Sequence, residues 1–166
     1  MMSEYLELDQ LTLGEISVAA GNPIDEEAYL KSLEEAKSTG CLFDVRKDGI
    51  LRAYATLKDL GGGKWFVLMF VTHPQWRTKH TFTELFGEII SHLEKVNAKT
   101  LVSNVFKVNK PSIAFHMKIG FNITREAPHG YEFTLDLDSP EAINHRLWTR
   151  KSACHCRAML THDTDD

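Results

Sequence analysis

The chain has 166 residues, of which 43% are hydrophobic and 25% charged, and its formal net charge is −4. These values are typical of one globular domain, and the acidic balance argues against a general nucleic-acid-binding protein. The longest apolar run, Trp65 to Val71, is far shorter than the roughly 20 residues of a membrane span. The N-terminal stretch is acidic and lacks the apolar segment of a signal peptide. We therefore expect a cytoplasmic protein that binds neither membrane nor nucleic acid.

The cysteines do not suggest a disulfide framework, because there are three of them and the protein is expected in the cytoplasm. Cys154-His155-Cys156 invites a zinc interpretation, with His162 nearby. Structural zinc sites use well-separated pairs of ligands, which this segment lacks. We predict no metal site and interpret these residues as part of a polar tail.

The N-terminal part of the chain is predicted to hold one short strand and two helices. Tyr5 to Leu8 alternates like a strand, and Leu11 to Ala20 is predicted to be helical. A second helix is predicted from Asp25 to about Ser38, where Thr39-Gly40 ends it.

A β-hairpin and a central strand are predicted next. Asp48-Gly49 is a strong turn signal, and it lies between the alternating runs 41–45 and 50–57. The run from Trp65 to Thr72 is almost wholly apolar, which predicts a strand buried on both faces. Pro74 is expected to end it.

Residues 79–96 carry the clearest helical pattern, because their apolar side chains recur at spacings of three and four. Thr81 and Glu84 have the spacing of a capping box at the start of this helix. Further strands are predicted at Thr100 to Phe106 and at Tyr131 to Leu137.

The residues after 138 are polar and mixed in composition, which predicts that the folded domain ends there. We expect residues 1–138 to form a single domain and residues 139–166 to form an extension that is partly helical or disordered. A short helix is predicted near Pro140 to Trp148.

A short helix with strong local signals follows the strand at 100–106. Asn109 can cap it, and Pro111 lies in the first turn, where a missing N–H costs nothing. Gly120 stands where the chain must turn left-handed, and Phe121 can pack back on the last turn. The sequence therefore predicts a helix that begins and ends within about ten residues.

This order of elements resembles the second half of the GNAT acyltransferase superfamily. The resemblance implies an α/β fold with a central mixed, largely antiparallel sheet, splayed between its fourth and fifth strands and covered by helices on both faces. It covers residues 41–137 well and the first 40 residues loosely. The residues at the places of the family's short-helix motif are Asn109, Ser112, Phe115, His116, Ile119, Gly120 and Phe121.

The resemblance also implies acetyl-CoA as co-substrate, lying in the V between the strands at Trp65 to Thr72 and Thr100 to Asn104. The backbone of the first strand would pair with the pantetheine arm, and the loop and helix N-terminus after it would hold the pyrophosphate. The residues implicated in cofactor binding are Phe70, Val71, Thr72, Arg77, Thr78, Lys79, His80, Thr81, Phe82, Asn104, Asn109 and Ser112.

The loop at 77–82 departs from the family pattern, which is Arg-Gly-x-Gly-x-Gly. Arg77 matches, but all three glycines are replaced, and Phe82 stands at the last of them. Glycine is used there because it lets the backbone approach a phosphate closely. Lys79 and His80 supply positive charge instead, whereas Glu84 in the predicted first turn would compete with a bound anion.

Two histidines are the candidate catalytic residues. The family often has a tyrosine at the place of His116, as the general acid to the departing thiolate, and histidine can also transfer protons. The alternative for His116 is a polar residue on the exposed side of a short helix. His73 is a candidate base by its position at the end of a strand.

The resemblance implies transfer of an acetyl group from acetyl-CoA to an amine of a small molecule or a protein. The missing glycines support an alternative, in which the fold is kept, catalysis is lost and the surface binds another protein. The C-terminal extension would contact that partner. This chain resembles some small phage proteins whose phosphate loop also departs from the family pattern. In this alternative the protein would be a structural or assembly component of a phage, located in the virion.

Overall fold

The computed structural model describes residues 2–21, 23–140 and 142–144. A single turn of 3-10 helix is formed by Pro74–Trp76. The helices and strands in chain order are α1 (Ser3–Ala19), α2 (Glu26–Ser38), β1 (Leu42–Lys47), β2 (Ile50–Asp59), β3 (Lys64–Thr72), α3 (Lys79–Lys95), β4 (Thr100–Phe106), α4 (Lys110–Lys118), β5 (Asn122–Glu126) and β6 (Gly130–Asp136).

The strands of the described residues form one sheet with the order β1-β2-β3-β4-β6-β5. Only β3 and β4 pair in parallel, and the long helix α3 connects them, as a parallel crossover requires. All other neighbours are antiparallel. The sheet is therefore mixed and largely antiparallel, which confirms the predicted fold class.

Helices cover both faces of the sheet. On one face, Ile89 of α3 belongs to the same buried cluster as Leu101 of β4, and α4 packs at its edge. On the other face, Leu8 of α1 and Leu33 of α2 pack with Tyr54 of β2. These cores form because apolar residues recur at helical spacing in the helices and at alternate positions in the strands.

The predicted strand at Tyr5 to Leu8 is wrong, because these residues lie in α1. Tyr5, Leu8 and Asp9 are buried together, and their spacing of three and four places them on one helical face. Leu6, which made the segment look alternating, is only partly buried.

Two further predictions about local structure are wrong. Thr81 is not the cap of α3, because Thr78 occupies that position and its Oγ1 accepts a hydrogen bond from the Thr81 N–H at 3.2 Å. Glu84 consequently lies in the second turn and not at the anion-binding end. The strand β3 is not buried on both faces, since only Trp65 and Val71 within it are buried.

The remaining predicted elements are confirmed with small shifts of their ends. The second helix, the long helix, the strand at 100–106, the short helix and the strand at 130–136 are all present. The hairpin turn has positive φ angles at Asp48 (53°) and Gly49 (78°), as the favoured tight turn requires. The sequence did not predict β5, because all five of its residues are exposed and no apolar period marks them.

Some predictions fall on residues outside the described part. Residues 142–144 are helical and Ala142 is buried, which agrees with the start of the predicted helix, but its continuation to Trp148 lies outside the described residues. The segment Cys154-His155-Cys156 also lies outside them. Where the structure is described, no group of residues suited to a metal ion occurs and no helix is long and apolar enough to cross a bilayer.

Candidate functional site

The sheet is split between its two central strands. Residues 64–67 of β3 pair with residues 100–103 of β4, and the last pair is Val67 with Ser103. Beyond this point β3 continues to Thr72 and β4 to Phe106, but the two strands no longer pair with each other. The two strands therefore diverge as a V, which confirms the predicted splay.

A β-bulge lies at the point where the strands part. On the β2 side of β3, Leu57 pairs with Val67 and Thr56 with Met69, so Leu68 has no opposite residue. A bulge adds a residue to one strand, bends it and increases its twist. The bulge at Leu68 is thus the local cause of the divergence of β3 from β4.

A cleft of about 1090 Å³ opens at the split and extends between α3 and α4. The predicted site residues that line it are Phe70, Val71, Thr72, Arg77, Thr78, Lys79, Phe82, Asn109, Ser112 and His116. The structure therefore brings together most of the predicted site from β3, the loop after it, α3 and α4.

The charges around the cleft have one sign. Arg77, Lys79 and Lys118 line it, and no acidic residue does so among the described residues. The Arg77 Nε donates to the Thr72 backbone oxygen at 3.3 Å, which holds the guanidinium beside the end of β3. In a chain whose net charge is −4, this local excess of positive charge favours an anionic ligand.

Two helix N-termini open on the same cleft. Thr78 caps α3, and the Asn109 Oδ1 caps α4 by accepting a hydrogen bond from the Ser112 N–H at 3.3 Å. Both capping residues line the cleft. The positive ends of two helix dipoles thus add to the cationic side chains.

An aromatic cluster crosses the cleft between β3, α3 and α4. The ring of Phe82 lies 5.8 Å from that of Phe70, 5.3 Å from Phe86 and 4.8 Å from Phe115, between centroids. Phe82 belongs to the second turn of α3 and not to the loop, so its side chain projects into the cleft from a rigid helix. This cluster makes the central part of the cleft apolar.

His116 is half-buried and both of its ring nitrogens have partners. Nδ1 lies 2.7 Å from the Ser112 carbonyl oxygen, which can only accept a hydrogen bond, so Nδ1 carries the hydrogen and donates it. Nε2 lies 3.0 Å from the Ser103 Oγ, whose hydroxyl then donates to it. Burial lowers the pKa of His116, so the neutral imidazole with this tautomer is favoured.

Four predicted site residues do not line the cleft. His73 caps the 3-10 turn, where its Nδ1 accepts from the Gln75 N–H at 3.2 Å, and its ring packs against Trp76. The Nε2 of His80 lies 3.7 Å from a carboxylate oxygen of Glu84.

The other two are Thr81 and Asn104. Thr81 is buried at the start of α3, 2% exposed. Asn104 lines a separate pocket of about 380 Å³ at the β4–β6 pair.

Sequence reasoning missed the contribution of α1 to the site. Thr12, Leu13 and Ile16 line the cleft, although nothing in their local pattern marks them, because their approach to β3 depends on how α1 packs over the sheet. Lys118 was also missed as a site residue. Its spacing of six residues from Ser112 does not place the two residues on one helical face, so the helical pattern gave no signal for it.

Known structures with the same fold include acetyltransferases with bound coenzyme A. PaiA N-acetyltransferase from Thermoplasma acidophilum, in complex with coenzyme A, is 16% identical, with a TM-score of 0.67 over 81% of this chain and 92% of that one. The ribosomal-protein-S18-alanine N-acetyltransferase from Escherichia coli is 15% identical, with a TM-score of 0.63 over 83% and 88%. The protein yncA from Salmonella typhimurium, with its cofactor acetyl-CoA, is 18% identical, with a TM-score of 0.55 over 71% and 77%.

At these identities the structural matches establish the fold alone. No curated protein matches the chain in sequence. A family model described as the acetyltransferase (GNAT) family matches residues 7–121, which include α1, the split strands, the cationic loop and α4. Members of this family use acetyl-CoA as co-substrate. The match spans well over half of the sequence, so the chain belongs to the acetyltransferase (GNAT) family.

Proposed function

We propose that this protein transfers an acetyl group from acetyl-CoA to an amine nitrogen. The observation that carries the proposal is the cleft at the split of β3 and β4, which combines three cationic side chains, two helix N-termini and an apolar centre without a lining carboxylate in the described residues. An elongated thioester with a pyrophosphate at one end has the matching distribution of charge.

The residues present fit this co-substrate at three places. Arg77, Thr78 and Lys79 at the start of α3 would hold the pyrophosphate, with side-chain charge in place of glycine backbone. The unpaired edge of β3 at residues 70–72 offers backbone N–H and C=O groups to the amides of the pantetheine arm. Asn109 and Ser112 stand on the opposite side of the cleft, at the start of α4.

Acetyl-CoA supplies an acetyl group activated as a thioester. In the reaction a bond forms between the amine nitrogen and the acetyl carbon, and the bond between that carbon and sulfur breaks. One proton leaves the nitrogen and one proton reaches the sulfur, so the charges balance. The backbone N–H groups on the edge of β3 that no longer pairs with β4 beyond Val67 would polarise the acetyl oxygen as a pre-organised donor.

The proton-transfer roles of the two histidines stay predictions. For His116 to protonate the sulfur, Nε2 must first gain a proton and exchange Ser103 for the sulfur. For His73 to accept the amine proton at Nδ1, the hydrogen bond from Gln75 must break. The hydrogen bonds of His116 favour a structural role, in which the side chain positions α4 against β4. In that case water molecules carry out both proton transfers.

The acceptor is an amine of a small molecule or of a protein. Thr12, Leu13 and Ile16 of α1 line one wall of the cleft, and this wall is assigned to the acceptor because the cationic loop lies on the α3 side. A mostly apolar wall without a carboxylate suits a neutral amine, which is the nucleophilic form.

Isothermal titration calorimetry of coenzyme A and acetyl-CoA tests the proposal. We expect micromolar binding by the wild type and a loss of about tenfold or more in Arg77→Ala, since a charge-assisted contact is removed. Arg125→Ala is the matched control, because Arg125 is exposed on β5 and does not line the cleft. Absence of binding at millimolar ligand would contradict the proposal and favour the non-catalytic, partner-binding alternative.

A further inference from the structure

Asp9 of α1 is a buried carboxylic acid with an unpartnered oxygen. Its side chain is 0% exposed. Its Oδ2 accepts a hydrogen bond from the hydroxyl of Tyr54 on β2 at 2.7 Å, and the hydroxyl of Tyr29 on α2 is hydrogen-bonded to that of Tyr54. Its Oδ1 is buried and has no hydrogen-bond partner. An ionised carboxylate is therefore poorly accommodated here, because one of its oxygens has neither water nor a donor.

The charged groups on the neighbouring strand β1 are paired with one another and do not neutralise Asp9. The Tyr5 hydroxyl of α1 donates to Asp44 at 2.7 Å. The Arg46 guanidinium donates to Glu4 at 2.6 Å and to Asp44 at 2.7 Å. The side chains of β3 that pack against this part of α1 are apolar. Among the described residues, Asp9 thus has hydroxyl groups but no cation as hydrogen-bond partner.

Asp9 lies on the same face of α1 as the wall of the cleft. Thr12, Leu13 and Ile16 follow it at spacings of three, four and seven residues, which places all four on one side of the helix. The three later residues line the cleft. A change in how Asp9 packs against the sheet is therefore transmitted directly to this wall.

The first half of α1 carries the polar contacts that attach the helix. As far as the structure describes them, the hydrogen bonds from α1 to other elements come from Glu4, Tyr5, Asp9 and Gln10. The bond from Gln10 to Glu26 of α2 is exposed, whereas that of Asp9 is buried. Asp9 is thus the buried polar attachment that lies next to the cleft wall.

We propose that the protonation state of Asp9 controls whether α1 stays packed on β2: the protonated acid holds the helix in place, and loss of the proton releases the helix together with its wall of the cleft. Ionisation favours release because α1 must move away from Tyr54 before water can reach Oδ1. The assignment of this wall to the acceptor, and hence an effect on acceptor binding, rests on the proposed function.

Proton linkage gives the expected size of the effect. In the released state Asp9 meets water and has its ordinary pKa of 3.8, whereas burial in the packed state raises the pKa to about 6. The packed state therefore binds the proton more tightly and loses stability as pH rises. The ratio of released to packed molecules is expected to rise about tenfold between pH 5 and pH 7.

The test is amide hydrogen exchange of the full chain at pH 5, 6 and 7, with each rate corrected for the intrinsic exchange rate at that pH. We expect the amides of residues 12–19 to be less protected than those of α3, because release of α1 requires less free energy than global unfolding. Their protection factors should fall about tenfold from pH 5 to pH 7. Asp9→Asn should abolish this fall, and Glu7→Gln, the same change at an exposed position of α1, should retain it.

Tyr54→Phe is the second variant, for the case that Asp9→Asn does not fold. It removes a donor to the ionised carboxylate and should lower the protection of residues 12–19 further at pH 7. Equal protection of α1 and α3 in the wild type would overturn the inference, since α1 would then open only when the whole domain unfolds. A fall of the same size in folded Asp9→Asn would also overturn it.

The exchange experiment contains no ligand, so its outcome does not depend on acetyl transfer. Protection of residues 12–19 that does not change with pH would overturn the control of α1 by Asp9 and leave the proposed function standing. Absence of coenzyme A binding in the calorimetry would overturn the proposed function and leave the control of α1 standing.

Discussion

The Nε2 of His116 lies 3.0 Å from the Oγ of Ser103, and this contact joins α4 to the last residue of β4 that pairs with β3. Ser103 is buried and His116 half-buried, so the link lies below the wall of the cleft. The short helix is thereby held at a fixed distance from the split strand. His116 is well placed to position α4, whatever its part in proton transfer.

Substitution of His116 separates the two roles. In His116→Gln the side-chain amide retains a polar group near Ser103 but cannot carry a proton, so we expect kcat to stay within about threefold if the role is positioning. Loss of a general acid would lower kcat by about 10² to 10⁴-fold. The measurement is kcat for His116→Gln and His116→Ala across pH 5.5 to 8.5.

The pH profile provides the control. Burial lowers the pKa of His116, so an acid role predicts that kcat of the wild type falls as pH rises above that pKa, and that this limb disappears in His116→Gln. A wild-type limb that is unchanged in His116→Gln would instead belong to another group.

Phe82→Ala should tighten the binding of coenzyme A. The Phe82 ring stands in the cleft between Phe70 and Phe115, where the ligand must pass, and its removal opens that path. We expect a Kd at least threefold lower, with a loss of stability of no more than about 3 kcal/mol, because the side chain is only half-buried. Calorimetry and a thermal melt measure both. Weaker binding would show that the ring is a ligand contact and not an obstruction.

Phe43→Ala serves as the matched control for this change. Phe43 is also half-buried at the edge of the same core but does not line the cleft, so its removal should lower stability without tightening the binding.

Thr78→Ala should destabilise α3 because the hydrogen bond from the Thr81 N–H to the Thr78 Oγ1 is lost. Loss of an N-cap costs about 1 kcal/mol, which lowers Tm by roughly 2–4 °C in a domain of this size. Thr78→Ser keeps the capping oxygen and should retain the wild-type Tm. If Thr78→Ala left Tm unchanged in a thermal melt, Thr78 would not be the effective cap.

Asp9→Asn should change the pH dependence of stability. Asp9 is 0% exposed, its Oδ2 accepts from the Tyr54 hydroxyl at 2.7 Å, and its Oδ1 has no partner. Burial raises the pKa of Asp9 to about 6. A raised pKa favours the folded state while the carboxyl is protonated, so this contribution is complete below about pH 3.8 and is lost as pH rises through about 6.

The free energy of unfolding of the wild type, relative to Asp9→Asn, should therefore fall by about 2 kcal/mol between pH 4 and pH 6.5. Urea unfolding of both proteins at several pH values across this range gives the difference directly, since all other titrating groups are shared. A difference that does not vary with pH would mean that Asp9 titrates normally in the folded protein.

Local chemistry was sufficient to predict several elements. The short helix α4 depends on a capping amide at Asn109, a proline in the first turn and Gly120, whose φ of 101° a side chain would resist. The Gly120 and Phe121 N–H groups close its end on the Met117 and His116 carbonyls. These interactions join near neighbours in the chain, so they can be recognised without knowledge of the fold.

Some sequence patterns are compatible with two local structures, and tertiary packing selects one of them. The apolar positions at Tyr5 and Leu8 allow either a strand or a helix, and the burial of Asp9 beside Tyr54 selects the helix. Thr78 and Thr81 both precede helical residues, and only the path of the chain after β3 makes Thr78 the cap. Exposed β5 carries no apolar pattern, and its strand conformation depends on its pairing with β6.

The sequence by itself determined the order of elements, the family motif around α4 and ten of the residues that line the cleft. Only the tertiary structure located the bulge at Leu68 beside the split, since the bulge exists through the pairing of β3 with β2. It also decided the wall formed by α1. These features arise from contacts between residues far apart in the chain, and such contacts leave no local pattern to recognise.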